Sequence, residues 1–294
     1  MSPFSATAAV SILSAVTQSG SWVAPHAAQA CVARLRKGHS WSIARLASLT
    51  GLHEAAARVA ERPALIVERR GAVRALFTLA SSLKDETHPR GELPSTVQAL
   101  RSLVWEITGT WDPINRRALL VAPNVLDDAV RDNLDQGDWS RWVALKALIA
   151  GTIWESAPFL LTAVRTDARE LRVRDPQTEY ERACIPMLVD ALAAAHLDRL
   201  TTRDLSSLGW IRSHRAHTPL YVYRASAALM GISTDENLDS LSVSCRLFAQ
   251  KIVEEGQLPL LVSDESSWPT LEEVVDYSLW EQRVRPARRG DAQP

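Results

Sequence analysis

Apolar residues recur along most of this 294-residue chain at the three-and-four spacing of amphipathic helices. Residues 5–18 form a first striped segment closed by Gly20, and Pro25 stands where a second helix begins, running to about Lys37 before Gly38. A short helix from Ser42 to Thr50-Gly51 follows, then one over 53–61 that stops before Pro63. Ala64 to Leu83 is apolar with interspersed Arg and reads as helix despite Gly71. Pro89, Gly91 and Pro94 mark Asp85–Pro94 as a loop, and Ser95 to Thr108 is helical again.

The texture then changes. Arg117-Ala-Leu-Leu-Val-Ala122 lies between Asp112-Pro113 and Pro123-Asn124, and this short apolar run between turn formers predicts a strand. Helices are expected over 124–134, 138–155, 157–173, 178–199, 221–230, 238–255 and 270–284, with 258–262 as a second short strand. Trp142, Leu145, Ile149 and Ile153 give the 138–155 helix a core stripe. The pattern predicts a mainly α chain: a helical bundle around a central 138–155 helix, with a small β element near 117–122. We expect one domain over 1–294, with an N-terminal helical part (1–93), a core (94–285) and a flexible tail (286–294). The basic Arg283–Arg289 stretch reads as a frayed, solvated end.

Composition narrows the classes. Hydrophobic residues make up 46% and charged residues 23%, which suits a packed globular chain and excludes a mostly disordered one. With 33 basic and 34 acidic residues the net charge is −1, so no global field draws the chain to nucleic acid or to an acidic membrane. No stretch reaches the ~18 apolar residues of a membrane span. Cys31, Cys184 and Cys245 are widely separated and fit neither a disulfide framework nor a CxxC zinc site, as expected in a reducing cytoplasm. Ala28-Gln29-Ala30 resembles a signal-peptidase site, but the first basic residue is Arg34, so the positive segment of a secretory signal is missing.

Motifs that would carry chemistry are sparse. Ser42–Glu61 has the outline of a helix-turn-helix, which would need Arg45 and Arg58 exposed on one side. Its second helix offers only His53, Glu54, Arg58 and Glu61 as polar residues, and two of these are acids that phosphates repel. His196, His214 and His217 are the histidines that a rebuilt metal site would recruit, but no HExxH, HxH or CxxC spacing accompanies them. GxSxG, GxGxxG and GxxxxGK[ST] are all absent. The acid pairs Asp127-Asp128 and Glu254-Glu255 read as solvated helix surface.

One set of segments is more specific. Gly109-Thr-Trp-Asp112-Pro113, Leu119-Leu-Val-Ala-Pro-Asn-Val125, Trp142-Val-Ala-Leu145 and Ala157-Pro158-Phe159-Leu160 follow one another. Leu49-Thr-Gly-Leu52 and Val67-Glu-Arg69 to Val73-Arg74 precede them, and Arg246-Leu-Phe248 and Trp268-Pro-Thr-Leu-Glu-Glu273 come after. In order and spacing, over about 45–285, these resemble a family of zincin-like metallopeptidases from high-GC bacteria, often associated with biosynthesis of a deazaflavin coenzyme. The resemblance implies an α+β zincin-like fold and a zinc-binding helix of the form WVxLHExxH. Here the two histidine positions hold Lys146 and Ala150, and the glutamate position holds Ala147. The family's third ligand would fall near Leu192–Ala195, where no carboxylate stands.

The expectation is therefore a family member without catalytic residues and without zinc or another cofactor. It would serve as a binding or regulatory homologue for a peptide, protein or small molecule in the former cleft. Leu120, Val121, Ala122, Trp142, Lys146 and Asp190 are the expected cleft residues. If Lys146 points into that cleft it needs a buried acid, and Asp190 and Glu155 are the candidates. An active metal-dependent hydrolase with a rebuilt site is the alternative.

Overall fold

The computed structural model describes residues 6–20, 23–83, 93–165, 176–215, 218–229 and 237–290. It shows a mainly helical chain with a small β element, as the pattern predicts. The first departure is early. After α1 (Ala6–Val16), α2 is a single helix from Pro25 to Thr50, where two were expected. Gly38 does not stop it, because its missing side chain serves packing: a Cβ there would lie 2.7 Å from the Ser140 carbonyl oxygen of α7 (Gln136–Ser156). The helix ends instead at Gly51, with φ 72°. Ala28–Ala30 thus lies inside α2, beside the buried Cys31.

After α3 (His53–Ala60), the segment expected as one helix from Ala64 begins as a strand, β1 (Leu65–Val67), and only then becomes α4 (Arg69–Leu83). Periodicity cannot separate a three-residue apolar run from the start of a helix; parallel pairing with residues 119–121 decides it. The expected 85–94 loop lies almost wholly outside the described residues. Next come α5 (Leu93–Glu106) and an antiparallel hairpin of β2 (Gly109–Asp112) and β3 (Arg117–Val121). Asp112 closes its turn, accepting from the Ile114 and Asn115 amides at 3.1 and 3.0 Å. The strand order is β1-β3-β2.

The remaining elements are helical: α6 (Ala122–Arg131), α7, α8 (Phe159–Val164), α9 (Pro176–Leu197), α10 (Leu208–Arg215), α11 (Leu220–Leu229) and α12 (Asn237–Glu254). The helix expected over 157–173 ends at Val164, and residues 166–175 are not among those described. The 258–262 segment is not a strand but α13 (Leu258–Leu261), with Pro259 in its first turn. The 270–284 helix is two, α14 (Leu271–Val275) and α15 (Tyr277–Gly290). α14 starts on a capping box in which Thr270 and Glu273 satisfy each other's backbone amides. The basic end is not frayed as expected: α15 continues to Gly290, and Arg283 binds the buried Glu273.

α7 is the pillar. Trp142, Leu145, Ile149 and Ile153 are all buried, and α2, α3, α9 and the sheet pack around it. A helix enclosed on most sides is apolar on most sides, and α7 reads that way. Cys184 of α9 and Cys245 of α12, 61 residues apart, meet as buried thiols with their sulfurs 3.7 Å apart. Among the described residues no helix is long and apolar enough to cross a membrane.

Candidate functional site

The sheet has two edge strands, β1 and β2, and β2 is the one that packs on α7. β3 is the central strand, so Leu119–Val121 are paired on both sides. The Val121 amide donates to the Thr108 carbonyl at 2.8 Å, which fixes the phase of the hairpin. In an antiparallel pair bonded residues alternate, so Thr110 and Asp112 turn their peptide groups toward β3, and Gly109 and Trp111 turn theirs away. β2 lies close on α7 because Gly151 has no side chain. A Cβ there would meet the Trp111 ring at 2.4 Å.

Two cavities run along this edge. The first, about 200 Å³, is walled by Thr108–Thr110, Trp139, Trp142 and Lys146 of α7, Pro186, Met187 and Asp190 of α9, and Tyr223 of α11. Glu106 and Asp128 line it as well. The second, about 160 Å³, is walled by Trp111, Ala150, Trp154, Val164 and Leu residues of α4 and α5. Ile107, Thr110, Pro186, Asp190 and Ser226 border both, so the two adjoin along one groove-shaped region. Trp139, Val143, Lys146, Ala150 and Trp154, spaced three and four apart, are the α7 face beneath it.

Lys146 and Asp190 meet at the middle of the groove. The Lys146 ammonium lies 2.8 Å from Asp190 Oδ1 and donates to Thr218 Oγ1 at 2.7 Å. Asp190 Oδ2 accepts from Thr218 and from the Tyr223 hydroxyl, both at 2.7 Å. Burial pushes the Asp190 carboxyl up, but the Lys146 charge and these three donors outweigh it and hold the group below the usual carboxylate range. Burial and the Asp190 charge drive the Tyr223 hydroxyl the other way, well above its ordinary value. A carboxylate already accepting three donors is a poor base, and the one hydroxyl between it and Lys146 is committed to both. The cluster holds charge in place; it is not arranged to pass a proton on.

Glu155, the other acid considered for Lys146, instead binds Arg116, with Arg58 at 3.8 Å. A second acid was missed. Asp128, expected on a solvated surface, is 8% exposed and lines the first cavity. Burial pushes its carboxyl up to about 7, although Arg131, bound at 2.5 Å, pulls it back. Its neighbour Asp127 binds the buried Arg69 at 2.5 Å, so this acid pair is not plain surface. Nothing in the spacing of an acid pair distinguishes this from a solvated face; the tertiary packing around α6 does.

Of the six expected cleft residues, Trp142, Lys146 and Asp190 come together in the groove. Leu120 and Val121 are fully buried in the core, because β3 is the central strand, and Ala122 borders a different cavity near Cys31. Ala147 is buried in the core, whereas Ala150 borders the second cavity. Leu192, Ala193 and Ala195 are buried apolar residues, and the carboxylate that α9 presents to position 146 is Asp190. Zinc does not fit this set: an ammonium takes the first position, and neither alanine carries a donor atom.

The histidines do not converge. His196 is buried, bonded to the Leu192 carbonyl at 2.7 Å, and lowered by burial to about 4. His214 is exposed and stacks on Trp210, and His217 lies outside the described residues. Among the described residues no group of three His, Cys, Asp or Glu could hold a metal ion. The arginines of the helix-turn-helix candidate are engaged within the chain: Arg45 stacks on Trp41 and lies 3.8 Å from Asp204, and Arg58 donates to the Glu155 carbonyl.

Comparison with known proteins gives one fold neighbour. It is the crystal structure of "a putative hydrolase with a novel fold" from Chloroflexus aurantiacus, with TM-score 0.57 and 16% identity over 100% of both chains. At that identity the likeness shows the fold alone. No family model and no curated protein matches the chain.

Several segments that carry the zincin-like resemblance prove to be structural joints. Asn124 donates to the Val104 and Ile107 carbonyls, tying off the end of α5, and accepts from Arg69 at 2.7 Å. Asp112 builds the hairpin turn, and Thr270 and Glu273 cap α14.

Proposed function

We propose that this chain is a non-catalytic homologue within a hydrolase fold. In this reading the zinc and catalytic residues of a zincin-like relative have been replaced, and the groove binds a peptide, protein or small molecule. The observation that carries it is the Lys146–Asp190 pair. Where the zincin-like pattern has a zinc-binding histidine, an ammonium lines the cavity and meets a carboxylate from α9. The positive charge of a metal is thus matched in sign by a side chain, while the zinc donor at 150 and the water-polarising carboxylate at 147 are gone. The neighbour described as "a putative hydrolase" supports the hydrolase ancestry. A reducing, cytoplasmic setting and a link to a deazaflavin pathway belong to the same reading; three free cysteines suit the first, and the sequence resemblance suggests the second.

The test is metal content of the purified chain by mass spectrometry, after incubation with zinc and removal of excess. The expected result is far less than one zinc per chain. One tightly held zinc per chain overturns the proposal in favour of a rebuilt metal-dependent hydrolase.

A further inference from the structure

The two adjoining cavities differ in what they offer a small molecule. The second is walled by apolar side chains from five helices: Leu79 and Leu83 of α4, Leu103 of α5, Trp154 of α7, Val189 of α9 and Leu229 of α11. Among its described lining residues only Asp190 is charged, and that carboxylate is matched by Lys146. Its volume of about 160 Å³ is close to the ~150 Å³ at which an apolar cavity stays dry and takes up benzene. A hydrocarbon group is favoured there, because water finds few bonding partners on such walls.

The first cavity is polar, and its charges do not cancel. Lys146 and Asp190 neutralise each other across 2.8 Å. Asp128 is paired with Arg131, but that guanidinium is 58% exposed, is not part of the cavity wall and is shared with Asp132 at 3.3 Å. Glu106 is left over. It lines the cavity, accepts from the neutral Tyr221 hydroxyl at 2.7 Å, and has no basic partner among the described residues. Ile107, the next residue, borders both cavities, which puts the unmatched carboxylate one residue from their shared wall.

We infer that the occupant is an amphiphilic amine, with its ammonium head at Glu106 in the first cavity and an unbranched hydrocarbon tail in the second. The inference rests on the binding reading above and names the ligand class. Neither half suffices alone. A short amine gains only an ion pair at an exposed carboxylate, which water and salt weaken. Each methylene that leaves water adds about fourfold to affinity, so the tail sets the strength of binding. The head sets the choice among chains of equal length. A carboxylate head meets Glu106 and is repelled, and Lys146 offers it little, because Asp190 already balances that ammonium.

The experiment is isothermal titration calorimetry of the full chain at pH 8 with octylamine, octan-1-ol, octanoate and ethylamine. Octylamine is expected to bind one per chain, at least tenfold more tightly than octanol and more tightly still than octanoate, with ethylamine not bound at about 1 mM. E106Q should bring octylamine down to the level of octanol. A150W, which fills part of the second cavity, should weaken octylamine at least tenfold. Octanol or octanoate binding as tightly as octylamine overturns the cationic head, and ethylamine binding as tightly overturns the tail. A folded A150W that binds octylamine unchanged also overturns the tail. Uptake of many amines per chain marks adsorption and overturns the site, as does no binding of octylamine at about 1 mM. A zinc-free chain that binds no amine fails this inference alone, whereas a tightly held zinc fails the underlying reading whatever the amines do.

Discussion

Two clusters join a basic side chain to an acid across different helices, and they differ in how completely each is closed. Arg69 is 3% exposed. It donates to Asn124 and Asp127, and its guanidinium lies 4.1 Å from the Trp105 ring centroid, so α4, α5 and α6 are tied at one point. Lys146 and Asp190 are as well paired, but their side chains are 22% and 30% exposed, and that exposure is to the groove. In the first cluster the cation is closed off, and of its polar partners only Asp127, 28% exposed, reaches the surface. The second keeps donors and charge on a cavity wall. A buried ion pair adds little net stability against an apolar substitute, but losing one partner of a closed pair is costly. The contrast separates a closed cation from one that faces a cavity.

The sharpest way to break this contrast is R69A. It takes the guanidinium from Asp127, leaves the buried Asn124 side-chain oxygen without that donor and empties a buried site beside Trp105, and together these should cost about 3–5 kcal/mol in urea unfolding. R69K should rescue only part, because an ammonium cannot match the forked contacts of a guanidinium. A loss below about 1 kcal/mol would mean the joint is no more closed than the groove. Next comes G151A, whose methyl group must push against the Trp111 ring; overpacking of this kind should cost about 1–3 kcal/mol and shift β2 from α7. K146M should cost less, about 1–2 kcal/mol, since groove water can solvate Asp190. The Asp190 carboxyl should then rise, as seen by carbon NMR, because its nearest positive charge is gone.

The smallest effect tests the sign of the Asp128 shift. Its folded value, about 7, lies above its ordinary value of 3.8, so the folded chain holds a proton that the unfolded chain has released. Stability should therefore fall as pH rises from about 4 to 7 and level off above, by roughly 1–2 kcal/mol given the exposure to the groove. D128N should abolish that fall. A fall of equal size in D128N would assign it to another group.

Much of the fold was legible because helical periodicity is strong where one face is buried. α7, α9 and α12 lie close to their expected ranges. What failed was decided by distant contacts. Gly38 looks like a stop until Ser140 is packed against it, and Leu65–Val67 looks helical until it pairs with residues 119–121. The site was legible in part. An uncompensated Lys on an apolar helix face called for an acid, and Asp190 answers it. Asp128, Thr218 and Tyr223 carried no such signal, since each is an ordinary polar residue until six separate elements bring them to one groove.

The fit of Gly38 against Ser140 also sets a schedule for the chain's birth. The two surfaces are about 100 residues apart, and at the ~5–20 residues per second of synthesis α2 emerges roughly 5–20 s before α7 can cover it. For that interval Leu35, Leu46 and the notch at Gly38 face the ribosome surface and the chaperones near it. Nascent-chain variants truncated before Gln136 should accordingly carry a chaperone that the finished chain has shed.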